Sequence, residues 1–318
     1  MSGSAVVVGA GIAGLTAANA LLRCGWDVRV LERSPEPRTT GAGIVLLANA
    51  LRGLDAAGVG DAVRAIGERA YPGSLRDGAG RALVHVSPEQ IAARLGTVAI
   101  AFHRPRLQEA LLGGLGDTAV TYGAAAVSVD PGAADRPAVV TLEDGSTVSA
   151  DLVVAADGVR SLLRAAVAPD AAEPVYVGST TWLAVLDNPG ITEMSQTWGP
   201  GGEVGLIPLG DGRLYWYATQ VGPAGRPTGT PWRTWRPRAR RSPAGTHPYR
   251  RCWPRPRRSR RSSSTCTGSP ARSRGWLVAG WRWPVTPRTP CRRTWARVAA
   301  RASRTPWCWR RRSRVRAT

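Results

Sequence analysis

Lysine is absent. All 43 basic residues of the 318-residue chain are arginine, and the last of its 22 acids is Asp211. Basic residues drawn from arginine alone point to GC-rich coding DNA. Residues 1–211 hold 15 arginines and every acid, a net charge of −7; residues 212–318 hold 28 arginines and no acid, +28. An evenly spread +21 would suggest a nucleic-acid or membrane partner, but this charge is confined to one end. Tryptophan divides the same way, with Trp26, Trp182, Trp198 and Trp216 before residue 222 and nine after it. Two unrelated compositions share one chain.

Histidine is scarce. His85 and His103, the two before the divide, have no metal-ligand company, which excludes a metal centre there and leaves structural roles. No Ser/His/Asp arrangement for nucleophilic catalysis is present. Cys24 is the single early cysteine and is expected as a buried apolar residue of the first helix. With no disulfide framework, a reducing cytoplasm is the expected location. Cys252, Cys266, Cys291 and Cys308 lack ligand-like spacing, which excludes a zinc site. Ala5–Leu22 carries no charge over eighteen residues, but Gly9, Gly11, Gly14 and Asn19 interrupt it and no basic flank precedes it. A membrane span or signal peptide is therefore disfavoured.

That stretch reads instead as strand, turn and helix. Ser4–Val8 is an apolar run, Gly9-Ala10-Gly11-Ile12-Ala13-Gly14 is G-x-G-x-x-G, Leu15–Leu22 is helical, and Val28–Leu31 is a second strand ending at Glu32-Arg33. Order and spacing give the fingerprint of a dinucleotide-binding βαβ unit. Gly9 makes the tight turn, Gly11 admits a pyrophosphate to backbone N–H groups, and Gly14 lets the helix close on the sheet. Glu32, eighteen residues beyond Gly14, is placed to accept from a ribose hydroxyl.

Farther on, Gly41–Ile44 is a second glycine turn leading into a helical Val45–Leu54. Residues 61–102 read as mixed loop and strand, with Ala82–Val86 alternating. His103-Arg104-Pro105-Arg106-Leu107 opens a helix, Leu107–Leu115. Val127–Val129, Ala138–Leu142 and Thr147–Val148 read as strands with a hairpin turn at Asp144-Gly145, and Asp151–Ala156 as a strand ending at Asp157-Gly158. Trp182–Leu186, Glu203–Pro208 and Arg213–Gln220 are longer strands. In the last, Leu214, Trp216 and Ala218 face one way and Tyr215 and Tyr217 the other. The expected class is α/β: a Rossmann-like dinucleotide domain over 1–172 with inserted segments, part of an antiparallel sheet over 173–222, and an unstructured tail over 223–318.

Asp157-Gly158-Val159-Arg160-Ser161-Leu162-Leu163-Arg164 resembles the D-G-x-x-S-x-x-R motif of FAD-dependent aromatic-ring monooxygenases with the p-hydroxybenzoate hydroxylase fold. The N-terminal glycines, the Gly41–Ile44 turn and the Arg104–Leu107 helix start are similarly spaced, so the resemblance covers about residues 4–222. It implies that Gly9, Gly11 and Gly14 hold the FAD pyrophosphate, Glu32 the adenosine ribose, and that Arg33 lies on the adenine side. Arg104 corresponds to an arginine at the phosphate–ribityl region, and Asp157 to an aspartate of FAD and NAD(P)H binding. The implied activity is hydroxylation of an aromatic or polyketide-like small molecule with NAD(P)H and O2 through a flavin hydroperoxide. The cofactor carries the chemistry, so no catalytic side chain is assigned. Another FAD-dependent oxidoreductase or reductase of the same superfamily is the alternative.

The family's G-D-A-A-H-x-x-P-P-x-x-G-Q-G motif, expected near residue 285, is not written in the chain. Joining the last base of each codon to the first two of the next changes the text. Trp283 then Pro284 forces alanine, and Trp295 then Ala296 forces glycine. The permitted bases from Gly280 onward spell V-A-L-A-G-D-A-A-H-A-(L/M)-P-P-N-L-G-Q-G-G. A one-base shift near Val221–Thr230 therefore accounts for the tail as out-of-frame translation. The competing reading, an evolved nucleic-acid-binding arm, finds no repeat, no helical period and no Lys/Gly/Ser pattern to support it. No specific nucleic-acid or membrane partner is expected.

Overall fold

The computed structural model describes residues 3–37, 41–69, 73–224 and, as backbone, 276–282. The four later cysteines, the proposed frame change and most of the tail lie outside the described residues.

A parallel sheet organises the first half. Its strands β1 (Ser4–Val8), β2 (Asp27–Glu32), β8 (Val120–Tyr122) and β12 (Leu152–Ala155) run in the order β12-β1-β2-β8. Side chains alternate across a strand, so β1 feeds two cores. Ala5 and Val7 pack with helices α1 (Ile12–Arg23), α2 (Ala48–Ala56), α3 (Gly60–Ile66) and α5 (Arg104–Gly113) through Leu15, Leu51, Leu54, Val63, Leu107 and Leu111. Val6 and Val8 pack on the other face with Val140, Ala150 and Leu163. Val140 and Ala150 belong to an antiparallel sheet of β9 (Ala126–Asp130), β10 (Ala138–Leu142) and β11 (Thr147–Ala150). The hairpin turn expected at Asp144-Gly145 is present, with Gly145 at φ +83°.

Asn19 is buried rather than facing solvent. Its Nδ2 donates to Leu15 O (2.8 Å) and Leu111 O (2.9 Å), tying α1 to α5. Cys24 is exposed, not buried as expected: it closes the C-terminus of α1, beyond the last turn that faces the sheet, with its N–H bonded to Ala20 O and Leu21 O.

Two further sheets carry the rest. β3 (Gly43–Leu46), β7 (Ile100–His103) and β4 (Glu68–Arg69) form a small antiparallel sheet. Val45 and Leu46, expected at the start of a helix, therefore lie in a strand. Ile44 and Val45 are β-branched and find an open partner in β7, so the helix begins only at Ala48. The seven-stranded sheet runs β17-β13-β16-β15-β14-β5-β6, from β5 (Gly73–Asp77), β6 (Ala82–Val86), β13 (Val175–Asp187), β14 (Met194–Gly199), β15 (Gly202–Pro208), β16 (Arg213–Val221) and β17 (Trp276–Arg282). Residues 73–86 thus join a sheet built mainly after residue 174. Within the tail, expected to be without structure, the apolar segment 276–282 extends the sheet by pairing with the open edge of β13. Two short helices complete the described elements: α4 (Pro88–Leu95) and α6 (Arg164–Val167).

Candidate functional site: a glycine cradle beside an antiparallel sheet

The turn after β1 carries the site. Gly9 has φ +105°, and a Cβ there would lie 2.5 Å from Ala156 O. Only glycine fits both demands. A Cβ on Gly14 would overlap the carbonyl oxygen of Gly9, so α1 closes on the turn only without a side chain there. Gly11 differs: nothing lies within 4 Å of its would-be Cβ. It caps α1 in extended conformation with no side-chain bond, and the first turn holds no acid. The result is an open approach to a helix N-terminus whose N–H groups and partial positive charge suit an anion. A pyrophosphate fits this cradle.

Glu32, half-buried at the end of β2, accepts from Ala10 N (2.7 Å) with one oxygen and from Ser34 N (2.9 Å) with the other. A carboxylate has about four acceptor positions, so two remain for ribose hydroxyls. Arg33, next in the chain, is exposed.

Asp157 follows β12 and sits against the turn, its backbone nitrogen 3.3 Å from the would-be Cβ of Gly9. Its carboxylate is directed into its own loop, accepting from Ser161 Oγ (2.6 Å), Leu162 N (2.9 Å) and Leu163 N (3.3 Å). Here Asp157 shapes the Gly158–Leu163 turn. Arg164 is buried and pairs with Glu173.

Helix α5 joins the cradle to the second sheet. Gln108 Nε2 donates to Ala10 O (2.8 Å), holding the glycine turn from the side. Arg104 lies four residues earlier, one turn up the same face, and its N–H donates to Ala42 O (3.0 Å). A Cβ on Gly41 would meet Pro105 Cδ at 3.0 Å. Sequence reasoning missed Gln108, although its spacing from Arg104 was the available signal. It also placed the helix start at Leu107, whereas Arg104 and Pro105 occupy the first turn, where proline is favoured.

Tyr215 of β16 lies directly over Gly43, with no room for a Cβ between them. Tyr215 and Tyr217 form a tilted ring pair at 6.0 Å and pack with Ile207, Leu209, Val185 and Met194 against Ala101 and Val45. Leu214 and Ala218 point to the other face with Trp216, the alternation expected from sequence. Burial pushes the Tyr217 phenol up to about 12, helped by the charge of Glu203. Burial also lowers the His103 imidazole, and the nearby Arg213 guanidinium adds to the effect. Among the described residues no cluster of His, Cys, Asp and Glu could hold a metal, and no helix is long and apolar enough to cross a membrane.

Residues 3–304 match the sequence profile of the FAD binding domain family. The chain belongs to that family. The aurachin C monooxygenase/isomerase of Stigmatella aurantiaca is 36% identical over 225 residues, covering 69% of this chain and 57% of the relative. The 3-amino-4-hydroxybenzoate 2-monooxygenase of Streptomyces cremeus is 35% identical over 240 residues, covering 71% and 58%. Among solved structures, Klebsiella pneumoniae HpxO complexed with FAD and uric acid superposes with a TM-score of 0.64 at 30% identity, covering 70% of this chain and 58% of that one. The chain thus spans somewhat more than half the length of the relatives it matches. A mixed α/β dinucleotide domain joined to a mainly antiparallel sheet, in which only the β5–β14 pair among the described strands is parallel, is the architecture it shares with them. Within this FAD-binding family member, the cradle fits the adenosine–pyrophosphate end of the cofactor.

Proposed function

We propose that the chain is the FAD- and substrate-sheet portion of an NAD(P)H- and O2-dependent monooxygenase that hydroxylates a small electron-rich aromatic molecule. The observation that carries this reading is the linkage through α5. One helix bonds the glycine turn through Gln108 and the Gly41–Gly43 segment through Arg104, and Tyr215 of the antiparallel sheet rests on that segment. A dinucleotide cradle and an aromatic sheet face are thereby held at a fixed distance. In this reading residues 1–172, less the β5–β6 insertion, form the FAD-binding part and residues 173–222 part of the substrate sheet. The names of the matched monooxygenases support the reaction class.

Gly9, Gly11 and Gly14 would admit the pyrophosphate, Glu32 would accept from the ribose, and Arg33 would flank the adenine. Arg104 would approach the phosphate–ribityl stretch, while Asp157 and Gln108 fix the two walls of the turn. When bound, FAD supplies the redox chemistry that couples NAD(P)H oxidation to O2 activation. The protein's own part is to orient the ring and exclude water, with Tyr215, Ile207 and Met194 forming a dry wall.

We propose also that residues from about 222 onward are out-of-frame translation, so that the flavin-end motif is encoded but not expressed and FAD binding is weak. Support comes from the forced codons; the relatives align with about 70% of the chain, while the family profile runs on through residue 304. Resequencing through codons 220–230, with mass spectrometry of the protein, tests the frame. An intact single frame, or chain that purifies with near-stoichiometric flavin, overturns it. With the frame restored, NAD(P)H consumption should yield a hydroxylated ring; a reduced alkene instead would overturn the monooxygenase reading.

A further inference from the structure

One polar network lies on the sheet face that carries Tyr215. Gln196 of β14 donates through Nε2 to Tyr217 Oη (2.7 Å) and to Glu203 Oε2 (3.0 Å). The register explains how side chains two strands apart meet. Gln196 pairs with Gly205, and Gly205 with Tyr217. A Cβ on Gly205 would overlap the Tyr217 ring, so the ring lies across the glycine and its hydroxyl reaches Gln196. Leu75 and Leu183 flank the row.

The chemistry of the network is determined by its charge. An ionised carboxylate only accepts, so the Gln196 amide must turn its nitrogen toward Glu203, and both its N–H groups are used. Tyr217 accepts one of them and stays protonated, because burial holds its phenol up to about 12. Its own O–H is therefore a donor. Among the described residues no donor bonds Gln196 Oε1 or Glu203 Oε1, and Glu203 forms no ion pair. The network offers one neutral donor beside two acceptors, and its single charge is negative. Toward the turn that joins β14 and β15, Glu203 pairs across the strands with Trp198, which is 51% exposed.

We propose that Gln196, Glu203 and Tyr217 form the polar anchor that selects the substrate: an uncharged ring carrying an N–H or O–H donor beside a carbonyl acceptor. A ring carboxylate at this end of the face is disfavoured, because it would confront the like charge of Glu203, and among the described residues no arginine bonds Gln196, Glu203 or Tyr217; Arg104 acts at Tyr215, one step along the same face. The proposal rests on the reading of this face as the substrate face of a monooxygenase. It predicts a selectivity opposite to that of an enzyme named for a hydroxybenzoate.

The test uses the full chain and two probes, 4-hydroxyquinoline in its N–H/carbonyl tautomer and 4-hydroxybenzoate, by isothermal titration calorimetry at neutral pH. The first should bind at least about tenfold more tightly, the scale of one charge-dependent hydrogen bond. Glu203→Gln, which keeps shape and bonding, should remove that preference. Tyr217→Phe should weaken the quinoline about tenfold. Circular dichroism melts guard against misfolding, and if Tyr217→Phe does not fold, Glu203→Gln decides. Benzoate binding as tightly as the quinoline, no binding of either probe, or an unchanged preference in Glu203→Gln overturns the anchor. In a frame-restored chain, quinoline binding without hydroxylated product refutes the monooxygenase reading alone. Hydroxylation of the benzoate in preference to the quinoline refutes the anchor alone.

Discussion

Gly11 and Gly14 stand three residues apart in one motif, yet alanine at each should produce opposite phenotypes. At Gly14 the new methyl would overlap the Gly9 carbonyl oxygen and lie 3.0 Å from its carbon. Both atoms are backbone, and Gly9 is itself fixed by its N–H bond to Leu31 O at 2.7 Å. Relief requires α1 to move off the sheet, opening the core around Leu15 and Val7. Overpacking of this kind costs ~3 kcal/mol or more, which for a domain of about 200 residues lowers Tm by roughly 6–12 °C. At Gly11 the methyl enters open space and the backbone, at φ −76°, suits any residue. The stability cost is that of losing a glycine N-cap, a few tenths of a kcal/mol to about 1. The methyl occupies the approach to the helix N-terminus, so ligand affinity should fall about tenfold or more. Differential scanning calorimetry gives the first quantity and titration with ADP, which carries the pyrophosphate without the flavin, gives the second. A Gly11→Ala chain that binds ADP like the parent, or that melts as low as Gly14→Ala, would refute the cradle.

Three further predictions follow from single groups. Asn19→Leu leaves Leu111 O without its donor inside the α1–α5 contact and should cost about 1–3 kcal/mol, read as a lower urea midpoint at unchanged m-value. His103 has a depressed pKa from burial and from Arg213, so its stabilising effect is present above about pH 6.5 and is lost as pH falls through the folded value. Melting temperature should drop below pH 6.5, and His103→Asn should flatten that part of the curve. Tyr217 ionises near pH 12 in the fold but near the ordinary value when unfolded, so its contribution holds below about pH 10 and is lost as pH rises toward 12. Burial also raises the Tyr122 and Tyr215 phenols, so absorbance at 295 nm should show several late-titrating phenols, one fewer in Tyr217→Phe.

The parts of the fold readable in the sequence are those whose signal is local. The βαβ unit announces itself because a tight turn, a close helix approach and an open phosphate path each demand glycine at a fixed spacing. Structure shows the three demands to be distinct: positive φ at Gly9, backbone overlap at Gly14, empty space at Gly11. The alternation of Leu214–Ala218 was equally legible, since one face packs inward on each side. Helix α4 was legible but overlooked. Ser87-Pro88-Glu89-Gln90 carries a capping box, with Gln90 N to Ser87 Oγ at 3.3 Å and Ser87 N to Gln90 Oε1 at 3.1 Å, and Gly96 ends the helix at φ +75°. Ile91 and Leu95 stand four apart on one side of it, although none of its residues is buried.

What no local pattern could supply is pairing between distant segments. Nothing near Gly73 or Ala82 says that β5 and β6 will join strands more than 100 residues later, and β5 does so in parallel with β14. Ile44-Val45 reads as helix-compatible until β7 offers it an edge. Gly205 carries no signal of its own within the strand expected over Glu203–Pro208, yet its missing side chain is what lets Tyr217 reach Gln196. The Asp157 motif marks a position beside the cradle, but its carboxylate serves its own loop, and only the structure shows which way it turns. The same contrast separates the two ends of the cofactor site. The residues proposed for the adenosine end lie mostly within 9–33, one βαβ unit, with Gln108 and Asp157 bracing the turn. In the proposed reading the flavin end would be held by a segment some 250 residues later, and a single displaced base near codon 225 would leave the first end and remove the second. A chain altered in this way should bind ADP about as well as it binds FAD, because the affinity that remains is supplied by Gly11 and Glu32.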